Sequence, residues 1–444
     1  MLIEFGVGNY KSFKDTVTFS MVAANISSRV KNMDESNVFR VDNDLSLLTS
    51  AAVYGANASG KSNLISAIRF MRRFVLNSSK ETQVNDTIDV EGFRLHSEMD
   101  GKPSFFEMVF MIASTRYRYG FEVTRKHVVS EWLYYVPTIR EAKLFERHLD
   151  DIKPTTAFKE GRGLATKTRS NALFLSVVAQ FNGDISKSIL RWFRNLNVSL
   201  GLSDVGDRLS ALRRFENSKF NEDIVQFVKK LDIGIDGIDI EKARISFPDI
   251  SGNMSDDFKK IFEVLEKSGA EKTIVRTLHR KVNPDGQTTS IEAFDLEEHE
   301  SEGTKKIFAL AYPLLYALRN GHVIVIDELD ARLHPLITCE IISLFNSKET
   351  NSKNAQLIFT THDTNLLNNR MFRRDQIWFA EKTKQGATLL YSLVEYKIKG
   401  SSSVRNDASF EKDYIEGRYG AIPFIGDFRR LIGEENGDEE SEEG

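Results

Sequence analysis

At 444 residues the chain is too long for one ordinary hydrophobic core, and its length points to two or three domains. With 41% hydrophobic and 28% charged residues, a large core is feasible and disorder is not the default. The net charge of −4 is unevenly placed: residues 433–444 hold seven acids and no bases, so the remainder carries 60 basic and 57 acidic residues, which excludes a strongly basic nucleic-acid binder and leaves any DNA contact to a local patch.

Cys339 is the only cysteine, so neither a disulfide framework nor a cysteine-based zinc site is available. The opening residues alternate and carry charge, unlike a secretory leader, and nothing approaches 18 consecutive apolar residues. The expectation is a soluble, cytoplasmic protein with no membrane contact.

In chain order, Leu2 to Val7 and Thr16 to Val22 read as two strands joined through Lys11–Asp15, a hairpin. A polar loop over 25–46 leads to Ala51–Tyr54, a short buried strand. Next comes Gly55-Ala56-Asn57-Ala58-Ser59-Gly60-Lys61-Ser62, then a helical pattern from Asn63 to Met71. Four β-rich runs follow: Ser104 to Ile112, Arg116 to Val123, His127 to Val136 and Ala142 to Leu149. Alternation at Tyr117, Tyr119, Phe121 and Val123 predicts antiparallel strands with one polar face. From about 150 the pattern turns helical: Ala172 to Asn195 reads as one long helix, and Phe220 to Leu231 and Phe258 to Leu265 as shorter ones. After Glu297, strands alternate with helices again. Thr304 to Leu318 is a helix, Val323–Ile326 a buried strand, Leu336 to Phe345 a helix and Gln356 to Thr360 a strand. Gln376 to Ala380 and Leu389 to Val394 close an α/β core.

Gly55, Gly60, Lys61 and Ser62 fit G-x-x-x-x-G-K-[ST] between a strand and a helix. In that setting the loop N–H groups from Gly55 to Asn63 and the helix dipole face phosphates, Lys61 neutralises them and Ser62 can hold Mg²⁺. Four apolar β-formers followed by Asp327-Glu328 supply the acids such a site needs. Asp327 suits the metal shell, and Glu328 can orient or deprotonate the attacking water.

Adjacent acids of this kind, with the glycine loop, make the chain resemble an ABC-type ATPase head of the RecF, SMC and OLD group. The resemblance implies further elements. Ile358-Phe359-Thr360-Thr361-His362-Asp363 fits a strand ending in a switch histidine, so His362 would contact the γ-phosphate. Ser301-Glu302-Gly303-Thr304 stands where the signature loop lies, with Ser301 and Gly303 matching and Glu302 replacing a glycine; a plain helix N-cap at Ser301 is the other reading. Ala331-Arg332-Leu333-His334-Pro335 occupies the D-loop position. Its Leu-His-Pro form, together with Glu302 and the long insertion, points away from transporters.

Asn9–Asp15 and Tyr414–Pro423 are similar to prokaryotic ATPases of the RloA and AbiLi type, subunits of phage-defence (abortive-infection) modules commonly encoded beside a TOPRIM-like nuclease. That similarity places Lys11 near the nucleotide, assigns no role to Arg418 or Tyr419, and implies ATP and Mg²⁺ as cofactors and a homodimer or higher oligomer with shared ATP sites. Gln83 stands where Mg²⁺ could be coupled to the insertion, but in an unremarkable context, and it is not taken as a site residue. The function expected is an ATP hydrolase controlling a partner effector; the alternative is a RecF-like repair or recombination ATPase acting on DNA itself. The expected fold is an ABC-type P-loop head of class α/β, with a mixed sheet core, an antiparallel β subdomain and a mostly helical insertion. Its parts are an N-terminal lobe over 1–149, the insertion over 150–285, a C-terminal lobe over 286–432 and an acidic, solvated tail over 433–444.

Overall fold

A computed structural model describes residues 1–81, 83, 85–200, 221–231, 234–244, 271–398 and 402–423. Strand β1 (Leu2–Gly8) is buried at every position except Glu4, and it pairs antiparallel with β2 (Val17–Ser20) through the expected turn. A small hairpin, β3 (Val38–Arg40) and β4 (Ser46–Leu48), leads into β5 (Ser50–Tyr54), five residues with no exposed face. Its Ala, Val and Tyr side chains suit the middle of a sheet covered on both sides.

After β5 comes helix α1 (Lys61–Asn77), whose buried residues include Leu64, Ile68, Met71 and Val75 at helical spacing. The chain then runs as a meander: β6 (Ser104–Ile112), β7 (Thr115–Val123), β8 (Val128–Val136), β9 (Ala142–His148) and β10 (Asp151–Pro154). These join β1 and β2 in a seven-stranded antiparallel sheet of order β10-β9-β8-β7-β6-β1-β2. Its inner face meets α1 through aromatic rings, Phe70 on Phe106 at 4.8 Å and Phe74 on Phe121 at 5.5 Å.

Between Ala172 and Asn195 the structure has two helices rather than one, α2 (Phe174–Gln180) and α3 (Asp184–Asn195). The break falls at Asn182-Gly183, where Asn182 takes a left-handed φ of 67° that no helix continues through. Buried Glu131 of β8 ties α2 to the sheet, accepting the N–H groups of Phe174 at 2.7 Å and Leu175 at 3.0 Å. Strand β11 (Asn197–Ser199) follows directly.

The stretch 150–285, expected to be mostly helical, is mixed in its described residues. Helix α4 (Asn221–Lys230) is present, but β12 (Gly237–Arg244), β13 (Glu271–Val282) and β14 (Thr288–Asp295) form an antiparallel sheet. The β-branched run Thr273, Ile274, Val275, Thr277 with Val275 and Thr277 turned inward is a strand pattern that a helix reading overlooked. The helix expected over Phe258 to Leu265 and the tail 433–444 lie outside the described residues.

The last part supplies α5 (Glu302–Asn320), β15 (Val323–Ile326), α6 (Pro335–Phe345), β16 (Gln356–Thr360), β17 (Ile377–Lys382), β18 (Thr388–Ser392) and α7 (Phe410–Ile415). The second sheet has the order β11-β15-β16-β5-β17-β18, parallel except for β18. Strands β15, β16 and β5 are neighbours and point the same way, so the loops that follow them gather at one edge. Ligands of open α/β sheets bind at that carboxyl edge. Two contacts lock the sheets together. Gln356 of β16 bonds both main-chain groups of Leu2, at 2.6 and 3.0 Å, and Phe19 of β2 lies 5.0 Å from Trp378 of β17.

Candidate nucleotide-binding site

The glycine loop leaves β5 with two left-handed glycines, Gly55 at φ 153° and Gly60 at φ 112°. Neither tolerates a side chain: a Cβ on Gly55 would fall 2.2 Å from Ala380 O, and one on Gly60 2.2 Å from Thr388 Oγ1. Asn57, Ala58 and Ser62 are exposed, Ala56 and Asn63 half-buried, and Ser59 buried. The loop thus has its outer rim open. Lys61 is folded back onto it, donating to Gly55 O at 2.6 Å and Ala56 O at 3.0 Å. Burial pushes its ammonium down to about 8, against the opposing pull of Asp327, Glu328 and Asp330. A phosphate would replace those two carbonyls as its partner.

The acids follow β15. Thr360, at the tip of the adjacent β16, donates its hydroxyl to Asp327 Oδ1 at 2.5 Å and accepts the Glu328 N–H at 2.7 Å. Asp327 N–H donates to Ser199 O of β11 at 3.0 Å, so the acid turn is held from both neighbouring strands. His362 follows β16, with its main-chain N–H 3.3 Å from Asp330 Oδ2. Burial, then Lys61, lowers the imidazole below its ordinary value, which leaves it neutral at pH 7 with one N–H to donate. The other oxygen of Asp330, buried, has no partner.

A family model described as "AAA domain, putative AbiEii toxin, Type IV TA system" matches residues 50–368. The chain belongs to this family. No curated protein matches it. The matched segment opens at β5 and closes just past His362, so the glycine loop, the acid pair and the histidine are all parts of an AAA-type ATPase domain.

Several supports of that domain lie outside the matched segment, and sequence reasoning missed them. Thr388 of β18 reaches Ser59 O and Ser12 Oγ, each at 2.8 Å, and Asn63 donates to the same Ser12 hydroxyl at 2.7 Å. Ala421 O accepts the loop's Ala56 N–H at 2.9 Å and the Tyr414 hydroxyl at 3.0 Å. This gives the closing Tyr414–Pro423 motif a place: it backs the glycine loop. Tyr419 is fully buried, 5.9 Å from the Phe379 ring, whereas Arg418 is half exposed and pairs with Asp413 and Glu416. No local signal in the sequence marks Thr388, and Ala421 stands within the Tyr414–Pro423 motif without a role that the motif itself assigns. Thr360 had one, a polar residue ending an apolar strand.

Other expected residues fall as follows. Lys11 has a left-handed φ of 48° and donates to Ser66 Oγ of α1 at 2.7 Å, on the flank of the helix that the loop feeds. Ser301 is the N-cap of α5, accepting the Thr304 N–H at 3.1 Å, and His334 caps α6 by accepting the Leu336 N–H at 3.2 Å. Glu302 pairs with Lys305 and Arg332, which offsets its charge. Gln83 is exposed, with its main chain tied to Asp86 and Asn171.

Ser62 and Asp327 carry hard oxygen donors of the kind that magnesium takes. Among the described residues no group of three His, Cys, Asp or Glu could hold a metal by itself. Mg²⁺ is commonly held by one or two protein oxygens plus phosphates and waters, and Ser62 Oγ with the Asp327 carboxylate offers that many. Among the described residues no helix is long and apolar enough to cross a membrane.

Proposed function

We propose that the chain binds ATP with Mg²⁺ and hydrolyses it as an ABC-type head of the RloA and AbiLi type. It dimerises around two nucleotides and regulates a partner effector, a TOPRIM-like nuclease, in antiviral defence. The observation that carries this reading is the gathering of Lys61, the Asp327-Glu328 turn and His362 at the carboxyl edge of three adjacent parallel strands. The family's description, with its abortive-infection toxin and toxin–antitoxin system, supports the defence setting and a partner protein.

Each residue then has a task. Lys61 leaves the loop carbonyls for the β- and γ-phosphates, and the loop N–H groups surround them. Ser62 and Asp327 would hold Mg²⁺, which would offset charge on the phosphate oxygens. Glu328 takes the proton from a water attacking the γ-phosphate, and neutral His362 donates its N–H to a γ-phosphate oxygen. Ser301 and Gly303 reach the partner subunit's ATP, and Lys11 lies beside the nucleotide.

The test is phosphate release by the purified chain and its E328Q variant, with nucleotide binding and molecular mass measured alongside. The variant should bind ATP as the parent does, lose about a hundredfold or more in turnover and accumulate as a nucleotide-bound dimer. Parental turnover in E328Q would remove Glu328 as the base. A parent that neither binds nor hydrolyses ATP would remove the whole reading.

A further inference from the structure

Glu328 sits in the left-handed region, at φ 49°. A bulky residue stays there only when its surroundings over-determine the backbone. Three grips do so. Its N–H donates to Thr360 Oγ1 at 2.7 Å, and its carbonyl accepts from Lys306 Nζ at 2.6 Å and from the Ala331 N–H at 3.2 Å. The same ammonium donates to Ala331 O at 2.9 Å, so one buried cation closes the turn from 328 to 331. Burying an ammonium is costly unless its donors are satisfied, so these carbonyls hold Lys306 as firmly as it holds them.

Lys306 comes from the second turn of α5, and the start of the same helix is seated on the far end of the same turn. A Cβ on Gly303 would fall 2.7 Å from Arg332 O, and Glu302 pairs with the Arg332 side chain. Arg332 is itself left-handed, at φ 63°. The first two turns of α5 and the segment from Glu328 to Arg332 therefore form one clasped unit.

We infer that Lys306 is a positioning residue for ATP hydrolysis: by holding the Glu328 carbonyl it sets the left-handed backbone that aims the Glu328 carboxylate, and it ties that aim to the seating of α5. The inference rests on the ATPase reading above. Both of these bonds from the Lys306 ammonium go to main-chain carbonyls of the acid turn and not to the glycine loop, so its loss should move turnover and leave binding alone.

The experiment compares the full chain with its K306M, K306Q and K306R variants, using Mg-ATP and measuring kcat, KM and nucleotide affinity. K306M should keep ATP affinity within about twofold and lose about tenfold or more in kcat, the pattern of an interaction needed only in the transition state. K306R, which keeps the donors and the charge, should recover most of that loss. A K306M enzyme with kcat within about twofold of the parent, or one that loses affinity in proportion to turnover, overturns the inference. If K306M does not fold, the K306Q and K306R pair reads the same split. Parent turnover separates the two layers: a parent without hydrolysis overturns the ATPase reading, whereas an active parent with an undisturbed K306M overturns the inference alone.

Discussion

Thr360 and Asp327, at the tips of neighbouring parallel strands, share a buried hydrogen bond of 2.5 Å. Because the same hydroxyl accepts the Glu328 N–H, one threonine places both acids of the site. Thr360→Val keeps the shape and removes both bonds. It should cost about 1–3 kcal/mol in stability through the unpaired buried groups. Phosphate release should fall by about tenfold or more in T360V and return largely in T360S, which keeps the hydroxyl.

Lys61 carries a pH signature in the nucleotide-free protein. Its folded pKa is about 8, lowered by burial, against about 10.4 for a free lysine. Between those values the unfolded chain binds the extra proton, so this group's contribution makes stability rise with pH. Lys306, also pushed down to about 8 by burial, contributes in the same direction. Urea midpoints taken at about pH 7.5 and 9.5 should rise less in K61M than in the parent, and K61M should also lose ATP binding. An unchanged rise in K61M would show that Lys61 is not buried as described.

Glu131 should matter to stability and not to chemistry. Its fully buried carboxylate accepts the Tyr119 hydroxyl at 2.9 Å and two N–H groups of α2, with Arg147 at 3.7 Å. Burial pushes its pKa up, and Arg147 opposes the shift. Removing one partner of a buried pair strands the other, so Glu131→Ala should cost about 3–5 kcal/mol in a denaturant titration. ATP turnover by the fraction that remains folded should be unchanged.

The Glu302–Arg332 pair should behave in the opposite way. Its side chains are 46% and 43% exposed, so solvent screens the attraction. A double-mutant cycle with E302Q and R332Q should give a coupling of less than about 1 kcal/mol in stability. A larger coupling would mean that the pair is shielded, as by the partner subunit of a dimer, and repeating the cycle with and without ATP would show it.

Much of the site was legible locally. Gly55 to Ser62 and Asp327-Glu328 each follow a short apolar strand, and phosphate and metal chemistry calls for those residue types there; His362 also ends such a strand, but only the family resemblance singled it out. The helix over Ala172 to Asn195 was misread because apolar periodicity continues across Asn182-Gly183, where the backbone turns left-handed. The strands β12 and β13 were missed because their charged outer faces weaken the apolar signal, leaving β-branching as the clue.

Local pattern by itself determined that the chain carries a phosphate-binding loop and a pair of acids, because those depend on residues adjacent in sequence. Tertiary structure alone decided what holds them. Thr388 and Ala421 reach the loop from more than 300 residues away, Thr360 reaches Asp327 across a strand pairing, and Lys306 of α5 grips Glu328 in the turn after β15. These are single hydrogen bonds between distant segments, and a single bond leaves no period or motif in the sequence. It exists only once the sheet order has brought the strand ends together.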